Sequence, residues 1–459
     1  MADELSPADR SSLAAEQGPV NMAVGGVLVF EGGKGVSHDA IIARLEGRLH
    51  LIPRYRQRLQ QPTPGGVTNP VWVDDEGFDT GWHVRRAATD DVARLVGVEM
   101  SRRLDRSRPL WEMTVVDGFE DDRVALLPKM HHALVDGVAA VDVGTVILDP
   151  SAEPMDMSPD APWQPQPYDR RRHLARLAAA PMWQAQRLFL QGAERALAAD
   201  PLRAAGDLRK ATELLAEVAR NRPQAPMTFL NRPIGPNRRY AMARVPLDAL
   251  KVAGKAAGGT VNDAILAAVA GMLGRLFAQA GERPARPPVA LVPVSVRQPG
   301  EEGGNRISTV LVDLPAGEAD PAQRVAQIHT TMTALKDSAT VRAGALLVGA
   351  SGWAPPLVSS TLARAMGGVR AFNVVVSNIP GPQQPFYLNG SRLLEAYPVV
   401  PLNPASQGLT VGVLSYDGAV HFGLLADRDL DPPVEAAREA LVAALDELTS
   451  GANVPNPPS

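Results

Sequence analysis

An apolar run, Val124-Ala125-Leu126-Leu127-Pro128, leads directly into Lys129-Met130-His131-His132-Ala133-Leu134-Val135-Asp136-Gly137. A short continuous apolar run reads as a buried strand. The chain must therefore hold a sheet that delivers His-His-x-x-x-Asp-Gly into a loop. Such a strand end is a compact way to present one imidazole as a base, because histidine starts with a pKa near neutrality. The second histidine can face a substrate while Asp136 keeps the local backbone in shape. A plainer reading stands beside it. Asp136 can cap an apolar helix over residues 138–148, with His131 and His132 as ordinary half-buried residues.

Flanking segments add to the motif. Upstream is Leu104-Asp105-Arg106-Ser107-Arg108-Pro109-Leu110-Trp111-Glu112. Downstream come Thr260-Val261-Asn262-Asp263, Pro293-Val294-Ser295-Val296-Arg297 and Ser377-Asn378-Ile379-Pro380-Gly381-Pro382. In this order, and from Leu5-Ser6-Pro7-Ala8-Asp9 onward, the chain resembles the bacterial wax ester synthase/diacylglycerol acyltransferase family over nearly its whole length. That family is a branch of the CoA-dependent acyltransferases.

The resemblance implies an α/β fold with mixed sheets: two chloramphenicol-acetyltransferase-like domains joined by a helical linker, with the active site at their interface. The expected division is 1–155 for the N-terminal domain, 156–236 for a Pro-rich and helical linker, 237–450 for the C-terminal domain and 451–459 for a disordered tail.

The coarse element pattern agrees with an α/β chain. Val24 to Phe30 and Val71-Trp72-Val73 are strand candidates, and His38 to His50 suits an amphipathic helix through Ile41, Ile42, Leu45 and Leu49. Pro154 to Pro167 reads as a surface linker. Arg170 to Arg220 reads as a long helical stretch. Its Arg170-Arg171-Arg172, Trp183, Arg187, Leu188, Phe189 and Leu190 suit either a helix lying on anionic lipid or a linker helix with a solvated basic face. Pro288 to Arg297 and Val374-Val375-Val376 read as buried strands, and Asp417-Gly418 joins a two-residue hairpin from Leu409 to Ala426.

Bulk properties narrow the function. A formal charge of −4 at pH 7 gives no support for nucleic-acid binding. The absence of cysteine excludes a disulfide framework, a thiol nucleophile and a Cys-ligated metal. The acidic start, Met1-Ala2-Asp3-Glu4, argues against a secretory signal. No stretch is expected to reach the roughly 20 apolar residues of a spanning helix. A cytoplasmic protein, peripherally associated with membranes or lipid droplets, is the resulting expectation.

The resemblance also implies roles. An acyl group would pass from acyl-CoA, the co-substrate, to diacylglycerol or a long-chain fatty alcohol in a ternary complex, giving triacylglycerol or wax ester. His132 would be the base, with His131 structural or a supporting partner. Asp136 would pair with an arginine, for which Arg297 is the candidate, and Gly137 would permit the turn. Asn262, Ser377 and Asn378 are short polar residues at the ends of apolar elements and are candidates to stabilise the oxyanion or bind substrate, together with Asp263. Thr260-x-x-Asp263 equally fits a capping box. Pro109, Leu110 and Trp111 would wall the acyl site. Lys251, Lys255, Arg238 and Arg239 are possible contacts for the CoA phosphates. No bound cofactor or metal is expected. One departure is visible: family members often carry Met-His-Val-Gly where this chain has Met22-Ala23-Val24-Gly25, which bears on acceptor preference. Other readings are a condensation-type domain, a non-catalytic lipid-binding or droplet-coating protein, and an acyltransferase for a specialised alcohol.

Overall fold

Local chemistry sets the element boundaries. Ser6 caps α1 (Pro7–Ala15) and Asp9 returns the bond to the Ser6 N–H, a reciprocal capping box with proline in the first turn. Thr260 and Asp263 do the same for a second helix, Val261–Gln279. Asp417 and Gly418 both adopt positive φ, 42° and 79°, as a two-residue hairpin turn requires. The computed structural model describes residues 3–63, 68–119, 123–134, 144, 146–159, 161–175, 225–295, 307–336, 371–403 and 406–450. The expectations for Asp136, Gly137 and Arg297, for most of 138–148 and 170–220, and for the 451–459 tail lie outside these residues.

In chain order the first half comprises β1 (Asp3–Glu4), α1, β2 (Ala23–Phe30), α2 (His38–Arg48), β3 (Gln57–Gln60), β4 (Val71–Asp74), α3 (Thr80–His83), β5 (Val84–Ala88), α4 (Val92–Ser101), β6 (Trp111–Phe119) and β7 (Arg123–His131). The second half comprises β8 (Arg238–Pro246), α5 (Leu247–Ala256), α6 (Val261–Gln279), β9 (Val289–Ser295), β10 (Ile307–Asp313), α7 (Pro321–Lys336), β11 (Val374–Pro380), β12 (Tyr387–Leu388), β13 (Ser391–Val399), β14 (Leu409–Tyr416), β15 (Ala419–Asp427) and α8 (Val434–Ser450).

Two mixed sheets of six strands organise these elements. One runs β12-β13-β2-β7-β6-β5, the other β10-β9-β11-β14-β15-β8, and a small sheet β1-β4-β3 stands apart. The first sheet is antiparallel except at β5–β6, whereas β11 runs parallel to both β9 and β14. The mixed α/β architecture expected from the sequence is thus present.

One connection ties the halves together. β13, from late in the chain, pairs antiparallel with β2, aligning Val399 with Gly25 and Leu393 with Phe30. It also crosses close over the second sheet, where a Cβ on Gly423 would collide with the Pro398 carbonyl and the Tyr240 hydroxyl. Only glycine permits that approach.

Helix α6 corrects one expectation. It is 19 residues long, with a mean hydropathy of 1.4, and is apolar enough by composition to cross a bilayer. Ala264 to Leu273 are all buried in the core of the second half, with α5, α7 and α8 packed against the helix. A helix apolar all round is what a fully enclosed core helix requires.

Candidate active site

β7 lies between β2 and β6, and its last residues set the site. Ala23 aligns with His131 and Val24 with Met130 on one side, and Trp111 aligns with Met130 on the other. The His131 N–H donates to the Leu110 carbonyl at 2.9 Å, and the His132 N–H to the Met22 carbonyl at 2.9 Å. Neighbours in the first sheet therefore hold both histidine backbones. His132 sits in the turn beyond the strand, where its side chain is exposed, whereas His131 is 1% exposed.

The two rings differ in chemistry. Nδ1 of His131 accepts the Ala133 N–H at 3.0 Å, so its neutral tautomer carries the proton on Nε2. That Nε2 lies 3.7 Å from Glu16 Oε1. Burial pushes the His131 imidazole down to about 4, with Glu16 only partly opposing it, so the ring is neutral near pH 7. Nδ1 of His132 lies 3.4 Å from the Ser12 hydroxyl.

Helix α1 and its C-terminal cap supply both partners: Ser12 lies within the helix, and Glu16, four residues on, is the cap residue. The Glu16 carboxylate is fastened by Arg106 at 2.8 Å and by the Met22 N–H at 3.2 Å. Arg106 belongs to the Leu-Asp-Arg-Ser-Arg-Pro-Leu-Trp segment, so two sequence motifs meet behind His131. Neither Ser12 nor Glu16 was singled out from sequence. The available signal, their i, i+4 spacing on a short capped helix, carries little information without the fold.

Pro109, Leu110 and Trp111 are buried. Leu110 bonds His131, as above, and Trp111 stacks on His83 at 4.4 Å while its indole N–H donates to the Tyr55 carbonyl. This segment braces the strand that carries the histidines.

A second polar cluster stands at the start of α6. Asn378, on β11, donates through Nδ2 to Asn262 Oδ1 at 3.0 Å. Ser377, also on β11, is half-buried. Asp263 is 2% exposed and accepts from the Thr260 N–H (2.8 Å), the Thr260 hydroxyl (2.9 Å) and His329 Nδ1 (2.8 Å). Asp263 thus serves as a cap and holds a histidine from α7 that lies in no sequence motif. The structure brings Asn262 and Asn378 together and leaves Asp263 turned to Thr260 and His329.

The basic candidates separate. Arg238 is buried, and its guanidinium bonds the Gly235 carbonyl at 2.7 Å and faces Asp427 at 3.5 Å, so it is a structural residue rather than a phosphate contact. Lys251 and Lys255 are exposed on α5, where Lys251 pairs with Asp248, and Arg239 pairs with Glu435.

Comparison with known proteins follows the same lines. Residues 5–265 match the wax ester synthase/diacylglycerol acyltransferase catalytic domain, and residues 303–449 match the WS/DGAT C-terminal domain. A Mycobacterium tuberculosis protein named probable diacylglycerol O-acyltransferase tgs2 is 33% identical over 470 residues, covering 98% of this chain and 100% of that protein. The one named tgs1 is 33% identical over 443 residues, 93% of this chain and 92% of its own. The solved wax ester synthase/diacylglycerol acyltransferase from Marinobacter aquaeolei VT8 is similar at a TM-score of 0.70 and 28% identity, covering 98% of this chain and 100% of that one. The starter condensation domain of rhizomide synthetase shares the fold at a TM-score of 0.58 and 15% identity, over 99% of this chain and 96% of that one.

Proposed function

The chain belongs to the wax ester synthase/diacylglycerol acyltransferase family and is an acyltransferase, and from that premise we propose that it moves an acyl chain from acyl-CoA to the hydroxyl of diacylglycerol or a long-chain fatty alcohol. His132 takes the acceptor's proton. The resulting alkoxide attacks the thioester carbonyl, the C–S bond breaks, and the imidazolium protonates the departing thiolate. Ester and free CoA are the products, with no acyl-enzyme. Proton transfer of this kind typically contributes ~10²–10⁴ in rate.

The observation that carries this reading is the contrast within the histidine pair. His131 is enclosed and neutral, with its Nδ1 committed to a backbone N–H, while His132 is presented in the exposed turn beyond β7. A general base must reach its substrate, so the exposed ring is the one suited to the chemistry. The amide pair Asn262–Asn378 supplies a donor for the charge that develops on the thioester oxygen. Both substrates are lipidic, so the protein works peripherally at a membrane or lipid droplet from the cytoplasmic side.

The test incubates purified protein with palmitoyl-CoA and either dioleoylglycerol or hexadecanol, following thiol release and the ester formed. Ester formation that disappears in His132→Ala supports both the reaction and the base. Thiol release without ester points to hydrolysis or to a different alcohol. The same turnover in His132→Ala removes His132 from the mechanism.

A further inference from the structure

We propose that Ser12 is a positioning residue that holds the His132 imidazole as its Nδ1–H tautomer, so that the reacting lone pair lies on Nε2. The proposal deepens the reading of His132 as the base and rests on it. Ser12 Oγ is 3.4 Å from His132 Nδ1 and only 9% exposed, although the two residues are 120 positions apart. Hydrogen bonds in an unliganded site are often this long and tighten when substrate binds.

The direction of the bond follows from the reaction. A serine hydroxyl can donate or accept. Once His132 has taken a proton, both ring nitrogens are donors and Ser12 must accept from Nδ1. Only the tautomer already protonated at Nδ1 keeps that bond unchanged before and after proton transfer. The alternative, with Ser12 donating to Nδ1, places the proton on Nε2 and forces a rotation at the moment of catalysis.

The surroundings hold Ser12 in place. Helix α1 is closed at its start by the Ser6–Asp9 box and packs Leu13 into the core. One turn after Ser12, Glu16 is tied to Arg106 and to the Met22 N–H, and the Met22 carbonyl accepts the His132 N–H. Backbone and ring of His132 are thus referred to one rigid element. The charged groups acting on His131, next to His132, are Glu16, at the end of α1, and Arg106, in the segment before β6, and the two form an ion pair with each other.

The experiment compares wild type, Ser12→Ala, Ser12→Thr and His132→Ala with palmitoyl-CoA and dioleoylglycerol across pH. Ser12→Ala should lower kcat about ten- to hundredfold, since a hydrogen bond to a charged group is lost, with KM little changed. The acid limb of its kcat profile should move about one unit to lower pH. Ser12→Thr, which keeps the hydroxyl, should recover most of the rate. The ¹⁵N imidazole spectrum of wild type, with His132 assigned by its absence in His132→Ala, should show a protonated Nδ1 above the acid limb. A lone pair on Nδ1, or wild-type kcat and acid limb in Ser12→Ala while His132→Ala is inactive, overturns the role of Ser12 alone. Turnover retained in His132→Ala overturns the base assignment and the proposal with it. Should Ser12→Ala fail to fold, the wild-type nitrogen spectrum decides.

Discussion

Asn378 Nδ2 donates to Asn262 Oδ1 at 3.0 Å, joining a β11 residue to the first turn of α6 across 116 positions of sequence. Two segments that looked independent along the chain, Thr-Val-Asn-Asp and Ser-Asn-Ile-Pro-Gly-Pro, are thus one structural unit. In this arrangement Asn378 holds the Asn262 amide through its oxygen.

Replacing Asn262 by Ala should therefore reduce kcat by roughly 10²-fold, the loss expected for one donor to a developing oxyanion, with KM little changed. Asn378→Ala should cost less, and the double variant should be no worse than Asn262→Ala. Steady-state kinetics on the four proteins give the cycle. Strictly additive losses would show that the two amides act separately.

Asp263 and His329 should separate in stability. Asp263 is enclosed and holds the start of core helix α6, so Asp263→Ala removes a cap worth about 1–2 kcal/mol and strands the donors it satisfied. The His329 side chain is 42% exposed, and water competes for its hydrogen bond to Asp263, so His329→Ala should cost under about 1 kcal/mol. Urea unfolding at neutral pH measures both, and equal losses would contradict the assignment.

Acidification should destabilise the fold before most carboxylates titrate. His83, His131 and His421 are each lowered by burial from 6.5 to about 4. Their folded values lie below the unfolded one, so between those limits the unfolded chain binds more protons. Their contribution to stability is complete above pH 6.5, falls as pH drops through that window, and falls no further below pH 4. Each can steepen the decline by up to about 1.4 kcal/mol per pH unit. His421, enclosed between Tyr397 and Tyr416, is the cleanest probe. His421→Phe should flatten the dependence of unfolding free energy on pH between 6 and 4.5, about one proton's worth. An unchanged slope would mean that His421 titrates alike in both states.

The crossing of β13 over the second sheet should not tolerate a side chain at Gly423. Gly423→Ala drives a methyl into the Pro398 carbonyl and the Tyr240 hydroxyl, which ought to cost at least 1–3 kcal/mol, as overpacking typically does at about that level. Gly418→Asn, at the exposed hairpin turn where asparagine accepts positive φ, should cost a few tenths of that, roughly. Comparing melting temperatures of the two variants tests whether the inter-sheet contact, rather than glycine content, limits stability.

Features governed by near neighbours were legible in sequence. The β7 run, the Asp417-Gly418 hairpin and the Thr260–Asp263 capping box all depend on periodicity or on bonds spanning a few residues. The histidine motif belongs here too, since strand and turn lie within one short segment. Features that depend on chain crossings were not legible. Nothing local in Ser391–Val399 announces that it completes a sheet begun at Ala23–Phe30, and nothing in a nine-residue helix announces that Ser12 will meet His132.

Arg238 and α6 show the same division from the other side. Charge on Arg238 suggested a surface role, yet burial against Asp427 and backbone carbonyls makes it a clasp. The composition of α6 fits a lipid environment, yet the protein's own sheet and helices surround it. By itself the sequence determined the mixed α/β class, the motif order that marks the family, and which residues are chemically able to act. The tertiary structure alone decided which histidine is enclosed, what orients the other, and which amides meet. Burial and hydrogen-bond partners are set by residues more than a hundred positions away, and no local pattern encodes them.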